Sequence, residues 1–467
     1  MRTVTDEMEG YRPCDNRRVR RWLLALGIAA AEMTNASSVA ADTIQEIVVE
    51  DNEKTTSDTV ELIAKIEVGD DWTPEMVDVI KTRLVSSGLF KDVEVFYEPV
   101  SGGVRVHMLV RDKHSWVIAP AFYTQPTNVG GGVGFGENNL FGLNQKLLIY
   151  AQIATGSSYF VGAWVVPSIA GTRFYTQVDT YDQHSRNIEY AAPTAYLSNP
   201  LAIRRSYMDY YNAGLRLGYD FYKGIVKLDT RLRTARVSYS HVELDSQDNP
   251  AVTAADANAP DPANIPAPGK TGWDTSNEIT LTIDRHANWY GIANGGKYTF
   301  TFEHSVLNSD FHYYEFNASA YKAWPILEAH NLVLKAHLDV GHDMPFQQEF
   351  LTGGTSMRGW LNNQFRGDFR TLVNVEYSFP LFEIYGLGFR GLGFWDSAYT
   401  TFLSTDNAER NYLPNSEARG LKPFKNSVGV GTRLFLRQIV LPLLGLDFGY
   451  GLEARDLQIY LAIGLTD

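Results

Sequence analysis

From Ser115 to Asp467 the chain is a succession of segments in which apolar and polar residues alternate position by position. Val226, Leu228, Thr230 and Leu232 alternate with Lys227, Asp229, Arg231 and Arg233. Leu332, Leu334, Ala336, Leu338 and Val340 alternate with Lys335, His337 and Asp339, and the same holds around Ile279, Leu281 and Ile283 and from Leu457 to Leu465. A period of two puts every second side chain on one face of a strand. One face is apolar enough for lipid, and the other carries full charges of both signs. Periodicity by itself fits a soluble sandwich as well as a membrane barrel. Length separates them: many runs reach about 10–15 residues, beyond the ~5–6 of a usual soluble strand and suited to a tilted membrane span of ~9–11. No run approaches 18 apolar residues, so no transmembrane helix is available. An exported chain of this kind is then either soluble in the periplasm or a barrel.

Export follows from the first 41 residues. Arg17, Arg18, Arg20 and Arg21 form a basic start, Trp22 to Ala31 an apolar stretch too short to span a bilayer, and Val39-Ala40-Ala41 a small-residue cleavage site. Residues 1–41 are therefore expected to be a signal peptide of the general secretory type. The single cysteine, Cys14, lies within it. The mature chain thus has neither a disulfide nor a thiolate site. A net charge of −13 argues against a nucleic-acid partner, which requires a basic face.

Sixteen strands are expected, beginning near Ser115, Val129, Asn144, Ser157, Thr172, Ser206, Gly224, Trp273, Gly296, Phe311, Glu328, Phe369, Gly386, Lys425, Pro442 and Asp456. If the first starts in the periplasm, the odd-numbered connections lie outside the cell. The long ones fall on that side: Ser185 to Arg205, Val242 to Gly272, His342 to Asp368 and Thr401 to Phe424. The even-numbered ones, such as Tyr222-Lys223-Gly224 and Pro380 to Tyr385, are short, as in outer-membrane barrels. Aromatic residues at 13%, with 26 Tyr, 24 Phe and 39 Gly, suit ring girdles and tight turns.

Residues 42–112 read differently. Ile44 to Glu50 alternates as a strand. Ser57 or Asp58 caps a helix bearing Val60, Ile63, Ala64 and Ile66. Thr73 caps a second helix with Pro74 at its first position, a stripe of Met76, Val77, Ile80 and Leu84, and Gly88 as its stop. Strands Val93–Glu98 and Val104–Val110 follow across Ser101-Gly102-Gly103. This strand-helix-helix-strand-strand order, with Leu84 to Phe90 and Val93-Glu94-Val95, resembles a POTRA domain.

The barrel segment, residues 115–467, resembles the BamA/TamA-like outer-membrane superfamily, also described as the bacterial surface antigen type. Glu137-Asn138-Asn139-Leu140-Phe141-Gly142 is similar to a turn after that family's first hairpin, and Ser427 to Arg433 to one of its glycine-rich strands. Gly353-Gly354-Thr355-Ser356-Met357-Arg358-Gly359-Trp360 is similar to its sixth-loop motif, with Met for Val and Trp for Phe or Tyr. The chain ends on Leu465-Thr466-Asp467 where the family ends on an aromatic residue. The resemblance implies a loop that folds into the lumen through Gly353, Gly354, Met357, Arg358, Gly359 and Trp360. Its arginine would meet an acidic wall residue. Alternation turns Asp396 and Glu376 inward, and a guanidinium fork suits a carboxylate. Arg358 with Asp396 is thus the expected lock, Glu376 its rival or second partner, and Phe394 part of the same wall element.

The family implies a weak seam between the first and last strands, here Ser115 to Tyr123 against Asp456 to Leu465. Its candidate residues are Trp116, Ala119, Tyr123, Gln458, Tyr460 and Leu465. It also implies an edge strand of the POTRA domain, with Val93, Val95 and Tyr97, for β-augmentation of clients. No metal spacing and no nucleophile elbow occur, so neither enzyme activity nor a cofactor is expected. The expected role is assembly or insertion of outer-membrane proteins. The alternatives are a two-partner-type secretion pore and a passive channel or structural barrel. The implied partners are the outer-membrane bilayer, unfolded outer-membrane protein clients, and periplasmic chaperones or accessory lipoproteins.

Overall fold

The computed structural model describes residues 42–190, 198, 200, 202–221, 224–244, 267–289, 292–327, 329–385, 387–403, 424–436 and 442–463. The expected signal peptide lies outside them. Two compact units emerge, one of residues up to 52 together with 60–111, the other of residues 53–59 with 112–467.

The first unit is a small α/β domain. Strands β1 (Asp42–Glu50), β2 (Asp71–Trp72), β3 (Phe90–Val100) and β4 (Gly103–Asp112) form one sheet in the order β2-β1-β4-β3. Helices α1 (Ser57–Ala64) and α2 (Met76–Ser86) supply the remaining elements. Ile44, Val60, Ile80, Leu84, Val93, Val104, Val106 and Met108 make its core. The two helices and the sheet order match a POTRA-like arrangement. Helix α2 begins later than its sequence signal: Thr73 and Pro74 form a turn that receives the Met76 and Val77 amides, and Glu75 stands at the cap. Gly88 ends it at φ +71°, a backbone conformation that costs glycine little. The short β2 carried no period of its own to be read.

The second unit is a closed antiparallel barrel. Its staves are β5 (Trp116–Gln125), β6 (Asn128–Leu140), β7 (Gln145–Ala154), β8 (Ser157–Val166), β9 (Phe174–Tyr190), β10 (Ala202–Asp220), β11 (Val226–Leu244), β12 (Gly272–Asp284) with its continuation β13 (Ala287–Trp289), β14 (Ile292–Ser305), β15 (Tyr314–Leu327), β16 (His330–His342), β19 (Phe369–Ile384), β20 (Leu387–Thr401), β21 (Lys425–Leu436), β22 (Pro442–Gly451) and β23 (Asp456–Ile463). Between β16 and β19 a small hairpin of β17 (Phe350–Thr352) and β18 (Phe365–Gly367) stands apart from the wall. Segments β12 and β13 keep one register against β14, so the barrel has sixteen staves. The hairpin β9–β10 runs further than expected: Ser185–Tyr190 pairs with Ala202–Met208 instead of looping.

Burial in the wall is inverted relative to a soluble protein. On β11, Leu228 and Leu232 are 40% and 46% exposed, whereas Asp229 and Arg233 are 6% and 5% exposed. Exposing leucine while enclosing charge is favourable only where the outside is lipid and the inside polar. This removes the sandwich alternative. The enclosed charges are paired: Arg216 with Asp229 at 2.7 Å and Glu278 at 2.8 Å, Arg231 with Asp179 at 2.5 Å, and Arg233 with Glu303 at 2.5 Å.

Candidate functional site

The connection from His342 to Asp368 folds on itself and passes through the lumen. Its arms pair as β17 and β18, Phe350 opposite Gly367 and Thr352 opposite Phe365. At its root, Gln347 and Gln348 donate amide hydrogens to Asp274 on β12 at 3.1 and 2.9 Å. Beyond β17 the chain turns through Gly353 at φ +122° and Gly354 at φ +66°. The Ser356 hydroxyl ties this turn, donating to the Gly353 carbonyl at 2.9 Å. Met357 and Trp360 then bury completely against Leu372 and Ala398.

Arg358 is 5% exposed, and Asp396 is fully enclosed. The guanidinium meets the carboxylate side-on, Nε to Oδ2 at 2.9 Å and Nη2 to Oδ1 at 2.8 Å, and the Arg358 backbone N–H donates to Oδ2 at 3.1 Å. Its remaining nitrogen, Nη1, lies 2.8 Å from Glu376 Oε1 and 3.4 Å from Asp447 Oδ2. The guanidinium plane rests 3.5 Å from the centre of the Phe394 ring. Asp447 also receives Arg433, Nη2 to Oδ2 at 2.8 Å, and Lys335 stands 3.9 Å from Glu376. The cluster therefore balances three cations against three carboxylates. Balance is a physical requirement, since an unpaired charge removed from water costs several kcal/mol.

Glycines open the space that this cluster occupies. A Cβ on Gly431 would lie 1.9 Å from Asp447 Oδ1, and one on Gly429 would lie 2.2 Å from the Phe394 ring. Gly359 has φ +90°, and its Cβ would lie 2.7 Å from the Gly451 nitrogen. The loop backbone thus lies directly on β22. Of the residues named from sequence, Gly353, Gly354, Met357, Arg358, Gly359, Trp360, Glu376, Phe394 and Asp396 converge in this cluster. Asp447 and Arg433 join them without having been singled out as loop partners. An acid between Leu446 and Phe448 was the available signal, but alternation gives a side chain's facing and not its neighbour across a lumen.

The seam candidates are spread differently. Strands β5 and β23 pair at Phe122–Ile463, Tyr123–Ala462 and Thr124–Leu461. This register sets Tyr460 across from Gln125, not from Ala119, and leaves Asp456–Ile459 reaching past the end of β5. Among the described residues, Trp116 and Ala119 pair with β6, at Glu137 and Gly134. Leu465 lies outside the described residues. The Tyr123 hydroxyl accepts from Gln152 at 2.6 Å, and Gln458 bonds Asp456 at 2.5 Å. Tyr460 is buried, and its hydroxyl serves the loop: it accepts the Gly359 N–H at 3.0 Å and donates to the Trp360 carbonyl at 2.7 Å.

In the small domain, β3 is the terminal strand of its sheet. Val93 and Val95 turn into the domain core, and Tyr97 packs against Trp72 with ring centres 5.2 Å apart. The part of this edge open to another chain is therefore its backbone, with Glu94, Phe96 and the outer part of Tyr97 exposed beside it.

The turn from Glu137 to Gly142 holds a segment that precedes it in sequence. Lys54 Nζ reaches Glu137 at 3.1 Å and Ser115 at 2.6 Å, Asn139 donates to Thr55 at 2.7 Å, and the Thr56 N–H donates to the Gly142 carbonyl at 3.1 Å. Asp112 closes the same arrangement by accepting the backbone amides of Glu53, Lys54 and Thr55 and the Thr55 hydroxyl. Burial pushes the Asp112 carboxyl up, but these four donors outweigh it and hold its pKa below the ordinary value.

A sixteen-stave barrel with a lipid-compatible exterior and a POTRA-like domain before it defines an outer-membrane protein whose N-terminal domain is periplasmic. The sequence signature of the Omp85 superfamily domain matches residues 139–465, and the chain belongs to that superfamily. Solved structures share the fold. BamA from Haemophilus ducreyi lacking POTRA domains 1–3 aligns with a TM-score of 0.60 at 15% identity, over 91% of this chain and 84% of that one. CdiB from Acinetobacter baumannii aligns with a TM-score of 0.60 at 12% identity, over 91% and 74%. CdiB from Escherichia coli aligns with a TM-score of 0.54 at 13% identity, over 92% of each. No curated protein sequence matches the chain.

Proposed function

We propose that this protein assembles or inserts other outer-membrane proteins, with the β5–β23 seam as the place where a client strand is received. The observation that supports this is the stagger of the seam. The β5 register ends at Thr124–Leu461, so Asp456–Ile459 pair with β22 on one side and have no described partner on β5 on the other. Strand edges are tolerated in a membrane only when paired, and a briefly opened one is a template for another strand. The exposed backbone edge of β3 supplies a second template, in the manner of β-augmentation. Unfolded outer-membrane proteins are the clients in this reading, delivered by periplasmic chaperones or with accessory lipoproteins. Arg358, held by Asp396, Glu376 and Asp447, keeps the loop inside and the lumen filled.

Secretion through the lumen, as the CdiB likeness would have it, requires the loop to withdraw and Arg358 to abandon three carboxylates. A disulfide separates the two routes. Phe122→Cys with Ile463→Cys joins directly opposed positions in an otherwise cysteine-free mature chain. Insertion of a client barrel into vesicles should stop on oxidation and return with reductant. Insertion unaffected by the closed seam would reject the proposal and favour a route through the lumen.

A further inference from the structure

We infer that the inward loop is also a clasp on the seam: it joins the last strand to the first from the lumen side, at the point where their own pairing ends. This inference rests on the reading of the seam as the working part of the protein. The seam register runs from Phe122–Ile463 to Thr124–Leu461, so the next position would set Gln125 against Tyr460. No backbone pair forms there. Instead the loop fills the step. Gly359 and Trp360 hold the Tyr460 hydroxyl through both its accepting and its donating role, at 3.0 and 2.7 Å. Two residues on, Asn362 Nδ2 donates to the Gln125 side-chain oxygen at 2.5 Å.

The two attachments differ in strength. On the side of β23 the loop is fixed many times over, by the contact of Gly359 with Gly449 and Gly451, by Arg358 on Asp396 and Asp447, and by Tyr460. A buried hydroxyl torn from both partners would carry a large penalty, so the loop stays with β22 and β23. On the side of β5, Asn362 makes the crossing. Opening the seam therefore breaks the described strand pairs and the Asn362–Gln125 bond together. Asn362 and Gln125 are positioning residues that set how often the seam opens.

Hydrogen–deuterium exchange of the full chain in lipid nanodiscs, with no client present, tests this. Those amides of Phe122–Thr124 and Leu461–Ile463 that point across the seam report opening, and those of β22 paired with β21 serve as the internal reference. Asn362→Ala and Gln125→Ala should each speed seam exchange about two- to tenfold, the worth of one hydrogen bond. The reference amides should not change, and the double variant should exchange no faster than either single one. Seam exchange at the wild-type rate in Asn362→Ala, or accelerations that multiply in the double variant, would overturn the clasp. A seam that loosens as expected while client insertion ignores the Phe122–Ile463 disulfide would keep the clasp and reject the insertion reading instead.

Discussion

Replacing Arg358 by alanine should be among the most damaging single changes in the barrel. The substitution leaves Asp396, Glu376 and Asp447 facing Arg433 and Lys335, an excess of one negative charge in a cluster where Asp396 has no exposure to solvent. Breaking a buried pair by removing one partner costs about 3–5 kcal/mol. The lost stacking on Phe394 adds about 0.5–2 kcal/mol. Asp396→Ala should cost a similar amount, because the guanidinium loses its bidentate partner, keeping Nη1 alone on Glu376 and Asp447, and the backbone N–H loses its acceptor. The double variant removes both charges and should cost well under the sum, with a coupling of roughly 2–3 kcal/mol. Urea unfolding of the barrel in micelles, followed by heat-modifiable mobility on gels, gives the three midpoints. Strictly additive losses, or an Arg358→Ala midpoint equal to wild type, would refute the claim that the two residues act as one unit.

Three further outcomes follow from the geometry. Gly431→Ala should destabilise the barrel in the same assay by about 1–3 kcal/mol, because its Cβ would displace Asp447 from Arg433 and Arg358. If Gly431→Ala unfolds with the wild type, Asp447 is not held where the cluster needs it. Leu232→Arg, on the exposed side of β11, should cost about 2–4 kcal/mol in bilayers, whereas a neutral effect would place that face out of lipid. The folded pKa of Asp112 lies below its unfolded value, so its contribution is complete above the ordinary carboxylate range and is lost as pH falls through the folded pKa. Exchange of the Lys54 and Thr55 amides should therefore quicken, after correction for intrinsic rates, as pH falls from about 5 toward 3. Asp112→Asn should abolish that pH dependence.

Much of this architecture was legible because lipid imposes a simple code. Strand starts such as Asn144, Ser157, Phe369 and Lys425 fall within a residue of the observed ones, since each span must alternate to satisfy an apolar outside and a polar inside. Where that code lapses, so does the reading. Ser185–Tyr190 and Ala202–Arg205 continue as strand with polar residues on both faces, a pattern easily taken for a loop. The facing of Arg358, Glu376 and Asp396 followed from alternation together with the loop motif. The attachment of Tyr460 to Gly359 and Trp360 did not, because it joins residues about a hundred positions apart through a hydroxyl and a backbone. The seam register was equally hidden. No turn links the first stave to the last, so nothing local sets whether Tyr460 meets Ala119 or Gln125.

The wall of the barrel is uneven in height. Strands β10 and β11 each run 19 residues, against 10 for β5 and 8 described for β23. At ~3.3 Å per residue and a tilt of ~40°, the tall staves climb roughly 48 Å, whereas the apolar band is ~25 Å high. The Asp220 end of β10 and the Val226 end of β11 are on the periplasmic side, so about 20 Å of hydrogen-bonded sheet extends past the apolar band on the outer side of one flank. On that flank any contact from outside the cell would meet paired backbone of β9, β10 and β11 beyond the apolar band.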